Sequence, residues 1–461
     1  MNFKLKIITL FCFLPLFGSA SLVNTAFIKN NVEVLNELDI DSSFITDYEF
    51  QKNFNKKLKF AKDSYTRNLN QAHLFIPKVK KILKENNLPS SLLYVAMAES
   101  NFNLDAASSK RAKGLWQFMP RTANHFGLEI NKYIDERMDI IKSTQAAVTY
   151  LKALHKKFGK WYLAILAYNC GEGRVIQGIT RSTIDLHCNR VGVEKCQQNK
   201  TIRGYRKLIQ DYQTGEVAFY KLNKIYKEVL KWDEKPTIND ILTVQNIKGK
   251  QYVPFESSHY LRKIVALALM NNSSFLLDDN NVHLLNRGIS DPIASVDIKG
   301  GIILDDIADL IDVDKKLLEN LNQHIKKSIL PTDKKTYKVY IPYSKLSKFN
   351  NKKDFLKKRV INYKVKKGDN LSKIANQFKV RYQTIKKMNR LVSNNLKINQ
   401  ELIIPITPKN YIKKAIYVVK KGDTLSDIAK KYKVSLKNIM KLNNLDNSLI
   451  KVGHKVVINY E

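Results

Sequence analysis

From residue 33 to about 87 the apolar positions recur at helical spacing among many lysines, and "LFIPKVKKILKENNLP" closes that stretch on a turn. The same period continues through residues 88–98, 139–158 and 160–168, and a further amphipathic stretch, "YLRKIVALALM", begins at Tyr260. Residues 60–290 therefore predict one mostly α domain, preceded by a helical or linking segment over 21–59. Beyond residue 290 the pattern turns to short alternating runs, each long enough for a strand, between short helices. The predicted class is multidomain α+β: a mostly α domain followed by small βααβ modules.

The modules are internal repeats. "YKVKKGDNLSKIANQFKVRYQTIKKMN" starts at Tyr363 and "YVVKKGDTLSDIAKKYKVSLKNIMKLN" at Tyr417. Each opens on a strand, turns at Gly368-Asp369 or Gly422-Asp423, and caps a helix with Asn370 or Thr424. A second helix follows, carrying Ile385 or Ile439, and each unit closes on a strand, "ELIIPI" or "HKVVINY". The units are assigned to residues 361–406 and 416–461. A degenerate third copy precedes them over 291–345. There Gly301, Leu304, Ile307, Ala308, Val313, Leu318 and Asn322 fall at the offsets of Gly368, Leu371, Ile374, Ala375, Val380, Ile385 and Asn389. Ile302 replaces the turn aspartate, and the closing strand, "KVYIPY", comes late.

In the helical domain, "SLLYVAMAESNFN" places a lone carboxylate, Glu99, at the end of an apolar run that starts at Pro89 and the two serines after it. Charged groups are rarely buried without a partner. Downstream lie Ser108, "GLWQFMP" (114–120) and "AYNCGEGRV" (167–175). Taken singly, each has a plain reading: Glu99 as a helix-end carboxylate, Trp116, Phe118 and Met119 as core, Tyr168 and Asn169 as a helix end stopped by Gly171.

Together and in this order they resemble the lysozyme-like domain of the lytic murein transglycosylases, relatives of goose-type lysozyme. "YIDERMD" (133–139), "STQAAVTYLKALH" (143–155) and a tyrosine before a late apolar helix, Tyr260, extend the likeness. The C-terminal repeats resemble LysM peptidoglycan-binding modules. The resemblance implies that Glu99 is the catalytic acid, protonating the leaving oxygen of a β-1,4 glycosidic bond and then acting as base. An apolar helix suits that task, because desolvation raises a carboxyl above its ordinary value of about 4.3. Ordinary glycosidases use a second carboxylate; this family uses the substrate's own N-acetyl and C6 hydroxyl groups, leaving a 1,6-anhydromuramic acid end.

By the same resemblance Ser100 and Ser108 sit beside the acid, Gln117 contacts sugar, Met119 walls the site, and Tyr168 and Asn169 orient the N-acetyl group. Tyr260 belongs to the site through a looser motif. Gly368, Asp369, Gly422 and Asp423 mark the glycan-binding turns. Glu172 reads as structural. Two positions depart from the family pattern: Arg111 stands where glycine is usual, which matters if the site needs a positive φ, and Cys170 replaces a small residue. A hydrolytic goose-type lysozyme and a non-catalytic wall-binding protein remain the alternatives.

The first twenty residues, with Lys4 and Lys6, an apolar core from Ile7 to Phe17 and "GSA" before Ser21, read as a secretory signal. Export to a periplasm puts the cysteines in an oxidising compartment, so Cys188 and Cys196, flanking the polar loop "CNRVGVEKC", are expected to pair and Cys170 to stay free. Cys12, after Phe11, lacks the context of a lipidated cysteine. His187 alone makes no metal site, and no cofactor is expected. The net charge of +37 suits anionic polymers or solvated lysine-rich faces. With lysines dispersed and arginine sparse, the expected partner is peptidoglycan, with peripheral association at wall or membrane, and not nucleic acid.

Overall fold

The computed structural model describes residues 29–52, 67, 72–243, 251–269, 292–332, 336–406, 413–432 and 434–460. The expected signal over 1–20 lies outside the described residues. The chain forms two compact units: one runs through residue 296 and takes in 316–326 and 340–346, the other holds 297–315, 327–339 and the chain from 347 on.

The first unit is helical. Its principal helices are α1 (Ile76–Glu85), α2 (Leu93–Ser100), α3 (Ile140–Phe158), α4 (Trp161–Cys170), α5 (Glu172–Val191), α6 (Lys200–Thr214), α7 (Phe219–Val229) and α8 (Phe255–Leu269). The helix α4 is apolar on every face, with Tyr162, Leu163, Ala164, Ile165, Leu166 and Ala167 all buried. Such a helix finds its place only inside, and α3, α5 and α8 enclose it. The helix α2 is also covered all round through Leu93–Met97, each large side chain contributing about 2 kcal/mol of burial. Asp139 starts α3 by accepting the Ile141 and Lys142 amides, and Gly159, at φ +71°, ends it.

The described part of the N-terminal segment is no loose linker. Leu35, Leu38, Phe44 and Phe50 are buried in the same core as α2 and α4. Polar contacts fasten it: Glu37 accepts the Ser91 amide and hydroxyl, Asp39 accepts the Trp161 amide at 2.8 Å, and Asp47 takes Arg262 in a two-pronged ion pair at 2.8 and 2.7 Å. Arg262 is 4% exposed, so losing Asp47 would strand a buried charge, a change that costs about 3–5 kcal/mol.

Among the described residues three small antiparallel pairs follow: β1 (Ile293–Lys299) with β2 (Thr336–Pro342), β3 (Val360–Lys364) with β4 (Glu401–Pro405), and β5 (Lys413–Val418) with β6 (Lys455–Tyr460). Between the strands lie α9 (Leu304–Ile311) and α10 (Lys315–Leu321), α11 (Leu371–Gln377) and α12 (Tyr382–Asn389), and α13 (Leu425–Tyr432) and α14 (Leu436–Leu442). In the C-terminal copies Leu371, Ile374, Ile385, Leu402 and Ile404, or Leu425, Ile428, Ile439, Val456 and Ile458, form the core. One asparagine joins the second helix to the closing strand in all three copies. Asn389 binds Ile403 N and O, Asn443 binds Val457 N and O, and Asn322 binds Tyr340 N and O, all at 2.7–2.8 Å.

Gly368 and Gly422 adopt φ +86° and +94°, the region only glycine enters freely. At the third copy's Gly301 (φ +84°) the turn is covered. The Arg359 amide donates to Gly301 O at 2.9 Å, and a Cβ added there would lie 2.7 Å from Lys358 Cγ. Among the described residues no helix is long and apolar enough to cross a membrane.

Candidate active site

Glu99 sits in the last turn of α2. Asn101 ends that helix in the left-handed region at φ +52°, its amide returning to Met97 O. The carboxylate is met by α8, where the Tyr260 hydroxyl donates to Glu99 Oε1 at 2.6 Å. One turn on, Lys263 donates to Ala98 O at 3.0 Å. Burial pushes the Glu99 carboxyl up to about 7, against the opposing pull of the Tyr260 hydrogen bond and the Lys263 charge. Burial also holds the Tyr260 and Tyr168 hydroxyls well above their ordinary range, with Glu99 adding to both, and it lowers Lys263. At neutral pH the site therefore holds a carboxyl near its midpoint between a phenol and an ammonium.

Tyr168, the second hydroxyl on which Glu99 acts, links the site to the loop over 106–119. Gly114 turns at φ +80° with its Cα so close to Arg137 that a Cβ would lie 1.9 Å from the Arg137 carbonyl oxygen, so only glycine fits. Trp116 is fully buried and donates through Nε1 to Thr144 Oγ1 at 2.9 Å, while Trp116 O accepts the Tyr168 hydroxyl at 2.7 Å. Gln117 takes φ +47°, and its Nε2 donates to Ala106 O and Gly114 O at 3.0 and 2.8 Å. Arg111 takes φ +68°, so the position where glycine is usual does need the left-handed region. Arginine there stores strain of about 1–3 kcal/mol, offset in place by Arg137, whose Nη1 donates to Arg111 O at 2.7 Å.

Each residue singled out in the sequence has a definite setting. Ser100 is buried and donates to Ala96 O at 3.0 Å, so its hydroxyl proton is committed to its own helix. Ser108 accepts the Ala112 amide at 3.0 Å. Met119 is 43% exposed. Asn169 Oδ1 accepts the Ser257 hydroxyl at 2.7 Å, which orients its amide. Glu172 pairs with Lys157 at the surface.

On the repeats, Asp369 and Asp423 close their own turns. Asp369 accepts the Lys366 amide at 2.7 Å and the Tyr363 hydroxyl at 2.8 Å, and Asp423 the Lys420 amide and Tyr417 hydroxyl at 2.8 and 2.7 Å. Their carboxyls are held below the usual range, chiefly by the backbone amide.

Cys188 and Cys196 are bonded, with Cα atoms 5.6 Å apart, and Cys170 is free. The stretch between them is not a loop. α5 continues to Val191, Gly192 turns at φ +105°, and a short helix, Val193–Gln198, carries the second cysteine. The polar composition hid a short helix in which Cys196 is the buried residue. His187 pairs through Nδ1 with Glu234 at 3.1 Å. Sequence reasoning missed Lys263, Ser257 and Arg137. The first two share a helix with Tyr260 at spacings of three, which was the available signal.

Residues 78–185 match the transglycosylase SLT domain, 363–405 and 417–459 the LysM domain, and 293–358 the LysM-like domain of lytic transglycosylase MltD. Membrane-bound lytic murein transglycosylase D of Escherichia coli (strain K12) is 25% identical over 434 residues, spanning 88% of this chain and 82% of that protein. A putative tributyltin chloride resistance protein of Alteromonas sp. (strain M-1) is 39% identical over 125 residues, 27% of this chain and 60% of that protein. The N-acetylmuramoyl-L-alanine amidase sle1 of Staphylococcus saprophyticus is 40% identical over 102 residues, 21% of this chain and 31% of that protein. With its lysozyme-like SLT domain, MltD-type LysM-like domain and two LysM modules, the chain belongs to the lytic murein transglycosylases.

Proposed function

We propose that Glu99 is the single acid and base of a peptidoglycan lytic transglycosylase, and that the loop over 106–119 with Tyr168 and Asn169 holds the sugar. Protonated Glu99 gives its proton to the glycosidic oxygen between N-acetylmuramic acid and N-acetylglucosamine, and that C–O bond breaks. The N-acetyl carbonyl of the muramic ring supports the positive charge that develops at C1. Glu99, now a carboxylate, takes the proton of the C6 hydroxyl as O6 bonds to C1. Proton and bond counts balance without water.

The observation that carries this reading is the Glu99 carboxyl raised to about 7 by burial while hydrogen-bonded to Tyr260. A group titrating there is part protonated and part ionised at working pH, as one residue in both roles requires. Gln117, Met119, Ser108, Tyr168 and Asn169 contact or wall the sugar, Ser100 supports α2, and Tyr260 orients the acid. The LysM modules anchor the enzyme on glycan at the Gly368-Asp369 and Gly422-Asp423 turns. Two weak modules on one chain raise the effective concentration at the wall. The enzyme is exported by the N-terminal signal and works in the periplasm, wall-associated.

Mass spectrometry of digested sacculi tests the chemistry. Anhydro ends weigh one water less than reducing ends. Reducing ends alone would make the protein a lysozyme, and no soluble product would make it a binding protein.

A further inference from the structure

The third repeat differs from its two siblings at two positions that lie within the helical unit. In the C-terminal copies the residue two beyond the joining asparagine is Leu391 or Leu445, and the strand residue opposite that asparagine is Ile403 or Val457. In the third copy these positions carry His324 and Tyr340. Both turn to Asp139: the Tyr340 hydroxyl donates to Oδ1 at 2.7 Å, and His324 Nε2 lies 3.7 Å from Oδ2. Asp139, Tyr340 and His324 are only 1%, 2% and 4% exposed. Aliphatic residues would fill these places without the cost of desolvating polar groups, so the polar pair has another task.

We propose that the third repeat is a brace for the sugar-contacting loop, and that His324 and Tyr340 are positioning residues for the reaction. The inference rests on the reading that Gln117 contacts sugar. The path can be followed bond by bond. The repeat lies along "YIDERMD", with the Asp135 amide on His324 O at 2.9 Å, the Lys326 amide on Tyr133 O at 2.7 Å, and a bridge between Ile134 and Ile325. Within that segment Asp135 grips Arg137 with two hydrogen bonds of 2.8 Å. Arg137 Nη1 in turn donates to the carbonyls of Arg111 at 2.7 Å and Phe118 at 3.2 Å, and its own carbonyl is the surface on which Gly114 rests. Those contacts lie on both sides of Gln117 and end next to Met119. Both Arg111 and Gln117 hold left-handed backbone, which persists only where the surroundings dictate it.

Coupling along this path is directly measurable. The measurement is a double-mutant cycle in the full-length enzyme, reading kcat and KM on short soluble glycan strands. Tyr340→Phe keeps the ring and removes the hydroxyl on Asp139. It is expected to lower kcat/KM about fivefold to tenfold in the wild-type background but less than about twofold in a Gln117→Ala background. Retention on sacculi through the LysM modules stays unchanged. A purely structural role would lower the melting temperature equally in both backgrounds and leave kcat/KM additive, and that result overturns the brace. A Gln117→Ala variant with wild-type kcat/KM sinks the sugar-contact reading itself and the brace with it, so the two failures are distinguishable. If Tyr340→Phe does not accumulate folded, His324→Gln, which takes the imidazole off Asp139, goes through the same cycle with the same expected pattern.

Discussion

Glu99 at the end of α2 and the paired Asp369 and Asp423 on the LysM turns are carboxylates with the same neighbour, a tyrosine hydroxyl at 2.6–2.8 Å, and they are shifted in opposite directions. The tyrosine favours the ionised form in all three. What differs is solvent and backbone. Glu99 ends an apolar helix and is partly buried beside α8, so desolvation outweighs its hydrogen bond and the Lys263 charge. Asp369 and Asp423 lie on open turns, where a backbone amide adds to the tyrosine and little opposes it. A hydrogen-bond diagram alone would have ranked these groups alike. The apolar run before Glu99 raises one carboxyl, and backbone amides lower the other two.

The largest expected break in that comparison is Glu99→Gln, which keeps the size but has no proton to give. Turnover of sacculi falls at least about 100-fold while sacculus binding is retained, measured by product release and pull-down. The variant also carries a stability signature. A carboxyl raised in the folded state contributes stability that is present below its unfolded value near 4.5 and lost as pH rises through about 7. Replacing it removes that loss, so above pH 7 the variant melts higher than wild type by the equivalent of at most about 3 kcal/mol.

Tyr260→Phe comes next. Loss of the hydroxyl removes an interaction that lowers Glu99, so the falling limb of activity moves above pH 7, and kcat at the optimum drops about tenfold as the carboxyl loses its orientation. A pH–rate profile with an unmoved limb would show that Tyr260 does not act on the acid. Lys263→Met has a smaller effect: with the ammonium gone the limb moves in the same direction, by about half a pH unit, with kcat at the optimum within about threefold of wild type.

The smallest effect sharpens the comparison from the other side. Carboxyls lowered in the folded state stabilise above their unfolded value near 3.8, and that contribution is lost as pH falls through the lower folded value. Thermal melts of Asp369→Asn and Asp423→Asn should show slightly lower stability at neutral pH and a weaker decline below about pH 4, opposite in slope to the Glu99 signature. Equal slopes in wild type and variants would mean the turns do not depend on these carboxylates.

Local features were legible in the chain because their causes are local. The helical period of α2 through α4, the Gly-Asp turns, the caps of α11 and α13 and the repeat offsets follow from neighbouring residues and the backbone angles they permit. Even the third repeat was visible, since its core positions keep their spacing. The position of Arg111 was legible as a question, and only the backbone answered it, with φ +68° held by a distant arginine.

What the sequence determined by itself is the class of each region, the candidate acid and the order of modules. The tertiary structure decided which groups act on one another. Tyr260 reaches Glu99 across 161 residues of chain, Tyr340 reaches Asp139 across 201, and Arg262 reaches Asp47 across 215. Tyr260, with the loosest motif, hydrogen-bonds Glu99 directly, and the degenerate repeat shares a buried network with the segment over 133–139. Such contacts leave no periodic trace, because packing brings the partners together and desolvation then sets their strength.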